Sequence, residues 1–452
     1  MNILYVTNGF PPLHTAGTEV YTATLAAAFA RAGHDISVIC AGEQGRGPGP
    51  VNGVARSEHA GVTVFRIQLN WRRGPDPNRF LYDNPSAAAA VGRLLDEHRP
   101  DLVHITSCTT LSAAVIREID RRSLPLVLTL TDFWFLCPRL TLLRGDGGLC
   151  DGRTTAWQCL ECTTWNAKAY RWPSRFLPLP IVRSLLTTAS RRPALSRRYG
   201  LRGIALDMAD RKATLRSLLT RADVILAPSR HLRAVLQSNG VAADIRVSPY
   251  GHDLRWVERL RERRSGAADG RRALRVGFVG RFTPDKGVHV LLEAMRLLDR
   301  APIELLLFGR PEQEPAYYRR LLGLAAADPR IRFRGPFARD ALDRVYADIE
   351  VLAVPSLWYE NDPLVIQEAF AAGMPVIASR LGSMADAVSH EVSGLLVDAG
   401  DPAALARAIR RLVGEPALLD RLRSGIPPVR TAEEEVSFLA PLYAELQSRR
   451  GG

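Results

Sequence analysis

Strand-length apolar runs alternate with helix-length periodic segments along most of the chain, and few folds accept that pattern. In the first half, residues 2–7, 36–40, 61–67, 100–105, 124–130, 223–229 and 245–249 read as strands. Helix-like segments lie between most of them, at 20–32, 84–98, 112–121, 202–221 and 231–240. A second series runs from Leu274 through strands near 276–279, 303–308, 331–333, 351–354, 376–379 and 395–397. Such alternation predicts parallel sheets covered by helices on both faces. Ligands of such sheets gather at the carboxyl ends of the strands. Gly9, His104 and Asp132 fall near strand ends of the first series.

A chain of 452 residues holds about two such domains. The charged stretch 259–272 reads as a linker. The expected division is 1–262, then 263–430, with a last helix at 431–452 crossing back to the first domain. Periodicity breaks down over about 133–201, which reads as an insertion or lid.

The insertion carries two unusual features. Between Trp165 and Arg216 stand twelve Lys/Arg and two acids, a net of +10 in a chain whose net is +13. That excess suits an Arg-rich solvated surface, an anionic membrane surface or a phosphorylated acceptor. Nucleic acid is not expected as a partner, because no motif of that kind accompanies the charge. Cys137, Cys150, Cys159 and Cys162 are spaced C-x12-C-x8-C-x2-C. The last pair has zinc-knuckle spacing, so structural zinc is one expectation, beside free or redox-active thiols and disulfides. Cys40 and Cys108 follow strand-like runs and read as packing residues. The N-terminus enters an apolar strand at once, without a basic region and apolar core, and no run of about 18 apolar residues occurs. A cytoplasmic location is expected, with peripheral attachment at the inner membrane face as an addition.

The densest chemistry lies in Pro355-Ser356-Leu357-Trp358-Tyr359-Glu360-Asn361-Asp362-Pro363-Leu364-Val365-Ile366-Gln367-Glu368. Asp362 suits an N-cap and Pro363 a first helical position. Glu360 then precedes the helix and Glu368 lies inside it. Carboxylates accept from hydroxyls, and a helix start offers unpaired amides to a phosphate. Gly280-Arg281 and Asp285-Lys286-Gly287 place two cations at another strand-to-helix turn. Arginine can hold phosphate bidentately and lysine acts as a point charge.

Together, Val279-Gly280-Arg281, Lys286-Gly287, Tyr250-Gly251, Pro355-Ser356, Glu360-x7-Glu368 and Gly373-x-Pro375-Val376 resemble the retaining glycosyltransferases of family 4. The resemblance implies the GT-B fold, an α/β architecture of two Rossmann-like domains facing a cleft. It implies a nucleotide-sugar co-substrate, an acceptor held mainly by the N-terminal domain, and transfer of a hexosyl group with retention and no catalytic metal. By resemblance Arg281 and Lys286 hold the diphosphate and Glu360 contacts sugar hydroxyls. Asn361, Asp362, Pro363, Leu364 and Val365 bring backbone near sugar and phosphate, and Glu368 holds the ribose. Gly280, Gly309, Arg310 and Phe337 flank sugar and base, while Gly17 and Thr18 face the diphosphate. His104 and Asp132 are the catalytic candidates of the first domain.

Three departures stand out. Gly17-Thr18 replaces paired glycines, and no glycine follows Glu360. Thr131 and Thr106 stand where relatives often carry histidine. The missing histidine points to a donor that is 6-deoxy or otherwise modified. The expected acceptor is a polysaccharide or other glycan, a lipid-linked sugar or a small specialised metabolite. Two rival functions are a nucleotide-sugar 2-epimerase of the same fold and a non-catalytic nucleotide-sugar-binding protein.

Overall fold

The computed structural model describes residues 1–43, 45, 49–70, 77–165, 176–190, 192, 204–265, 273–299, 301–311 and 314–451. It divides into two compact units, Met1–Gly251 with Ala432–Gly452, and His252–Thr431.

The first unit is built on eight strands: β1 (Asn2–Thr7), β2 (Asp35–Ala41), β3 (Val51–His59), β4 (Val62–Leu69), β5 (Leu102–Ile105), β6 (Leu126–Thr129), β7 (Val224–Ala227) and β8 (Ile245–Val247). Their order in the sheet is β3-β4-β2-β1-β5-β6-β7-β8. All pairs are parallel except β3 with β4. Central β1 is apolar on both faces, and Ile3 through Val6 are fully buried, as a strand covered by helices on both sides requires. The helices are α1 (Gly17–Arg31), α2 (Pro77–Phe80), α3 (Pro85–His98), α4 (Ala114–Arg121), α5 (Ala156–Thr164), α6 (Leu179–Ser190), α7 (Ile204–Leu219) and α8 (Arg230–Ser238). Local chemistry fixes their starts. Asn84 accepts from the amides of Ser86 and Ala87 before Pro85 opens α3, and Ser229 accepts from Leu232 N ahead of α8.

Strand β3 has no counterpart among the strand-like runs of the sequence. Its side chains are mostly exposed, so it lacks the apolar run that marks a buried strand. It pairs with β4 through the two-residue turn Ala60-Gly61, both at positive φ (54° and 78°). Such turns match the twist of a hairpin.

The second unit has six parallel strands: β9 (Leu274–Val279), β10 (Ile303–Phe308), β11 (Ile331–Gly335), β12 (Val351–Val354), β13 (Val376–Ser379) and β14 (Gly394–Val397), in the order β11-β10-β9-β12-β13-β14. Around them lie α9 (Trp256–Ser265), α10 (Val288–Arg296), α11 (Pro315–Ala325), α12 (Leu342–Ala347), α13 (Leu364–Ala371), α14 (Ser383–Ala387), α15 (Pro402–Gly414) and α16 (Pro416–Ser424). Residues 259–265, read as linker, are the second half of α9. Trp256, Val257 and Leu260 bury one face, and Trp256 stacks on Tyr346 at 5.3 Å. Arg264 donates to the carbonyls of Ala372 and Tyr346. The arginines therefore clamp a packed helix. Residues 266–272 of that linker lie outside the described residues.

The final helix, α17 (Ala432–Gly451), belongs to the first unit. Tyr443 stacks on Phe29 of α1 at 5.2 Å. Glu435, 1% exposed, accepts from Tyr21 Oη at 2.9 Å and from Gly251 N at 2.7 Å.

Candidate functional site

In the second unit, the loops after β9, β10, β11 and β12 meet at the carboxyl ends of the strands. Gly280 N donates to Phe308 O, and Gly309 N donates to Gly335 O. A Cβ on Gly309 would come within 2.2 Å of Gly280 O, so glycine lets these two turns touch. Gly287 has φ +68°, and a Cβ there would meet Pro355 O at 2.0 Å. Leu357 N donates to Asp285 O at 2.7 Å and ties the same two loops. These approaches bring Lys286 to Glu360.

Lys286 Nζ lies 2.6 Å from Glu360 Oε1. Ser356 Oγ (2.7 Å) and Trp358 Nε1 (2.9 Å) donate to the same oxygen. Lys286 Nζ also stands 5.3 Å over the Trp358 ring. Ser383 Oγ donates to the Glu360 carbonyl at 2.6 Å. Glu360 is 6% exposed, so the buried charge is matched by a cation and directed donors. Arg281 and Arg310 are exposed at neighbouring strand ends.

Helix α13 starts one residue later than the sequence suggests. Pro363 is its N-cap and carries no side-chain cap bond, because proline has no polar atom to offer. Asp362 stands just outside, and the amides of Leu364 and Val365 open the helix. Asn361 is buried beside Glu360.

Glu368, 3% exposed, accepts from Arg339 Nη2 at 2.7 Å through Oε1 and from Tyr346 Oη at 2.8 Å through Oε2. Burial opposes the charge on Arg339, but the carboxylate beside it outweighs that, and its pKa is raised. Burial and then Glu368 push the Tyr346 phenol well up. Phe337 packs edge-on against Phe308 at 6.2 Å. Sequence reasoning missed Arg339, Tyr346, Ser356, Trp358 and Ser383 as partners of the two glutamates. Ser356 and Trp358 carried a signal, as hydrogen-bond donors four and two positions before Glu360.

In the first unit Gly17 and Thr18 open α1. Thr18 Oγ1 donates to Thr131 Oγ1 at 2.9 Å, and Thr131 Oγ1 donates to the Thr106 carbonyl at 3.0 Å. Thr22 joins the chain, its hydroxyl 2.6 Å from that of Thr106. Asp132 is partly buried and accepts from Trp134 N at 2.8 Å. Burial raises its pKa to about 6, against the amide bond and the nearby Arg211. It lines a small cavity with Thr106, Cys108, Thr129 and Trp134.

His104 does not reach this surface. It is 0% exposed within β5, its Nδ1 2.6 Å from Tyr443 Oη and its Nε2 2.7 Å from Thr129 Oγ1. Burial lowers its pKa to about 3, so it is neutral. The expectation that His104 is catalytic is therefore corrected: both ring nitrogens are spent on pinning α17 to the sheet.

The four clustered cysteines are free thiols, Cys137 buried and Cys150, Cys159 and Cys162 partly so. Thr154 Oγ1 and Cys159 Sγ are 3.0 Å apart, and Gly152 N donates to Cys150 Sγ at 3.4 Å. Among the described residues no three or more His, Cys, Asp or Glu stand together as a metal's ligand set. Among the same residues no helix is long and apolar enough to cross a membrane.

Residues 16–251 match the family described as "Glycosyl transferase 4-like domain", and residues 273–415 match "Glycosyl transferases group 1". The chain is 37% identical over 182 residues to the D-inositol 3-phosphate glycosyltransferase of Corynebacterium efficiens, covering 38% of this chain and 42% of that protein. The protein of the same name from Salinispora arenicola is 34% identical over 190 residues, 40% of this chain and 42% of that one. The matched stretches thus span about two fifths of these relatives' length. Among solved structures, sucrose-phosphate synthase from Thermosynechococcus elongatus aligns with a TM-score of 0.67 at 22% identity, covering 99% of this chain and 100% of that one. HepE of Anabaena, in complex with UDP and glucose, aligns at 0.64 and 18% identity, with 98% and 99% covered. These likenesses show the fold, GT-B. On the family matches, the chain belongs to the family-4-type glycosyltransferases.

Proposed function

We propose that the chain is a retaining hexosyltransferase that takes its sugar from a nucleotide-sugar donor bound in the second unit. The observation that carries this reading is the buried Lys286–Glu360 pair at 2.6 Å, set between two strand-end loops and next to the open amides of α13. A diphosphate needs cations and amides, and a sugar needs acceptors for its hydroxyls. Lys286, Arg281 and the amides of Leu364 and Val365 supply the first; Glu360 supplies the second. Three donors converge on Oε1 of Glu360, which fixes the carboxylate and leaves Oε2 for a sugar hydroxyl.

Glu368 takes the ribose, set in place by Arg339 and Tyr346. Phe337 and the Gly309-Arg310 turn flank base and sugar, and Asn361 and Asp362 shape the loop in front of the helix. Negative charge grows on the leaving diphosphate during transfer. Cations and helix amides fixed beforehand stabilise it without reorganising. Asp132, whose pKa lies near neutrality, serves the acceptor in the first unit. The acceptor is a glycan, a lipid-linked sugar or a small molecule. The relatives named D-inositol 3-phosphate glycosyltransferases put phosphorylated polyols among the small molecules to try.

A thermal-shift screen against UDP-, GDP-, ADP- and dTDP-sugars tests the reading, since a ligand of the native state raises its apparent stability. The stabilising donor is then incubated with acceptor panels, and the anomeric configuration of the product is read by NMR. Retained configuration supports the proposal. Release of an altered sugar without acceptor would reassign the chain as an epimerase. Binding with neither transfer nor hydrolysis would make it a non-catalytic nucleotide-sugar-binding protein.

A further inference from the structure

Helix α6 leaves one apolar face in water. Leu177, just before it, and Ile181 and Leu185 within it are 39%, 47% and 57% exposed. Their spacing of four places them in one row. Phe176, beside the row, is 72% exposed. Val182, one step round the helix from Ile181, is buried, and α6 packs against α7. A contiguous exposed row of this kind marks an interaction surface more often than chance placement does.

The charge of the flanking sequence says what that surface meets. Residues 165–206 carry nine Lys/Arg and no Asp or Glu, so this one segment holds nine of the thirteen net positive charges. Arg192, two residues beyond α6, is exposed. An apolar helical row in a stretch that carries cations only is complementary to a surface that is apolar below and anionic above. A bilayer containing anionic phospholipid is such a surface.

We propose that α6 seats in the interface of an anionic membrane, with Leu177, Ile181 and Leu185 among the acyl chains and Arg192 at the headgroups. The inference is independent of the glycosyl-transfer reading. It brings the chain to acceptors held at a membrane without requiring that it span one.

Flotation of the full chain with vesicles tests this. One set is phosphatidylcholine alone; the other is an equal mixture with phosphatidylglycerol. The chain is expected to float with the mixed vesicles only, and high salt is expected to weaken this, since exposed charges are screened. Replacing Ile181→Ser and Leu185→Ser together is expected to cut partitioning about tenfold or more, while Leu185→Trp raises it. The melting temperature of the double variant is expected to match the parent, because both side chains already face water. Vesicle binding unchanged in the double variant, equal binding to neutral vesicles, or no binding at all would overturn the proposal. So would a dimer that the double substitution dissolves, which would give the face to a second copy of the chain. A lowered melting temperature would also overturn it, by showing the row to be packed.

Discussion

Lys286 and Glu360, 74 positions apart in sequence, meet at 2.6 Å because Gly287 lets its loop close on Pro355. The pair is mostly buried, with side-chain exposures of 20% and 8%. A partly buried pair depends on both members, and removing one strands the other. Lys286→Ala therefore leaves Glu360 with only Ser356 and Trp358 as donors. Donor turnover is expected to fall about a hundredfold or more, as for loss of one group that meets developing charge. The melting temperature should drop as well. Glu360→Gln should cost less stability, since the Lys286 it strands is the more exposed member of the pair. In the double variant the losses should fall short of additive by about 1–3 kcal/mol. Strictly additive losses would mean that the pair does not act as a unit.

Arg281→Ala separates phosphate chemistry from this structural pairing. Arg281 is exposed and bonds to no described neighbour in a way its removal would unbalance. Its stabilisation of the leaving group grows in the transition state, so kcat should fall about a hundredfold while the melting temperature holds. Parent-like turnover would remove Arg281 from the site.

Glu368 is held at both oxygens, by Arg339 and by Tyr346. A carboxylate fixed this way loses little freedom when ribose binds. Glu368→Ala should weaken nucleotide-diphosphate binding by about 1–3 kcal/mol, the range for a hydrogen bond to a charged group. Tyr346→Phe should weaken it by about 1 kcal/mol through loss of alignment. Calorimetric titration with the nucleoside diphosphate reads both. Equal affinity in all three proteins would place the ribose elsewhere.

How much of this was legible beforehand follows from what each residue depends on. β1, β9 and β12 are nearly continuous apolar runs, and a strand buried on both faces announces itself. The exposed β3 did not, because its identity rests on pairing with β4 rather than on its own composition. Glu360 and Glu368 could be picked out as neighbours of a helix start. Arg339 and Tyr346 could not be tied to Glu368, since that contact is made by the packing of separate strand-end segments. His104 misled for the same reason: nothing local shows that Tyr443, 339 positions away, occupies its Nδ1.

Thr131 stands in a chain of hydroxyls running from Thr18 to the Thr106 backbone. A hydroxyl already engaged with neighbouring side chain and backbone is a weaker partner for a sugar than an imidazole at the same place. A donor with a 6-deoxy or otherwise modified sugar is therefore expected to be preferred over the ordinary hexose with the same base. Competition between the two donors for one acceptor measures it. Preference for the ordinary hexose, with loss when its 6-hydroxyl is removed, would reject the idea.

The pH dependence of stability should show two opposed groups in the first unit. Asp132 is raised by burial to about 6. Between the ordinary carboxylate value near 4 and about 6, the folded chain holds a proton that the unfolded chain has lost. Its contribution is thus fully present below about pH 4 and disappears as pH rises through 6, by up to about 3 kcal/mol. His104 is lowered by burial to about 3. Between about 3 and 6.5 the unfolded chain holds the extra proton, so this contribution is present above about pH 6.5 and lost as pH falls. In the parent the two slopes offset each other over roughly pH 4–6. Asp132→Asn removes one of them and keeps an acceptor for Trp134 N. Denaturant midpoints of the variant should therefore fall more steeply than the parent's on going from pH 7 to pH 4. At pH 7 the variant should be the more stable protein, and by pH 4 that advantage should be gone. Parallel curves for the two proteins would mean that Asp132 titrates at its ordinary value.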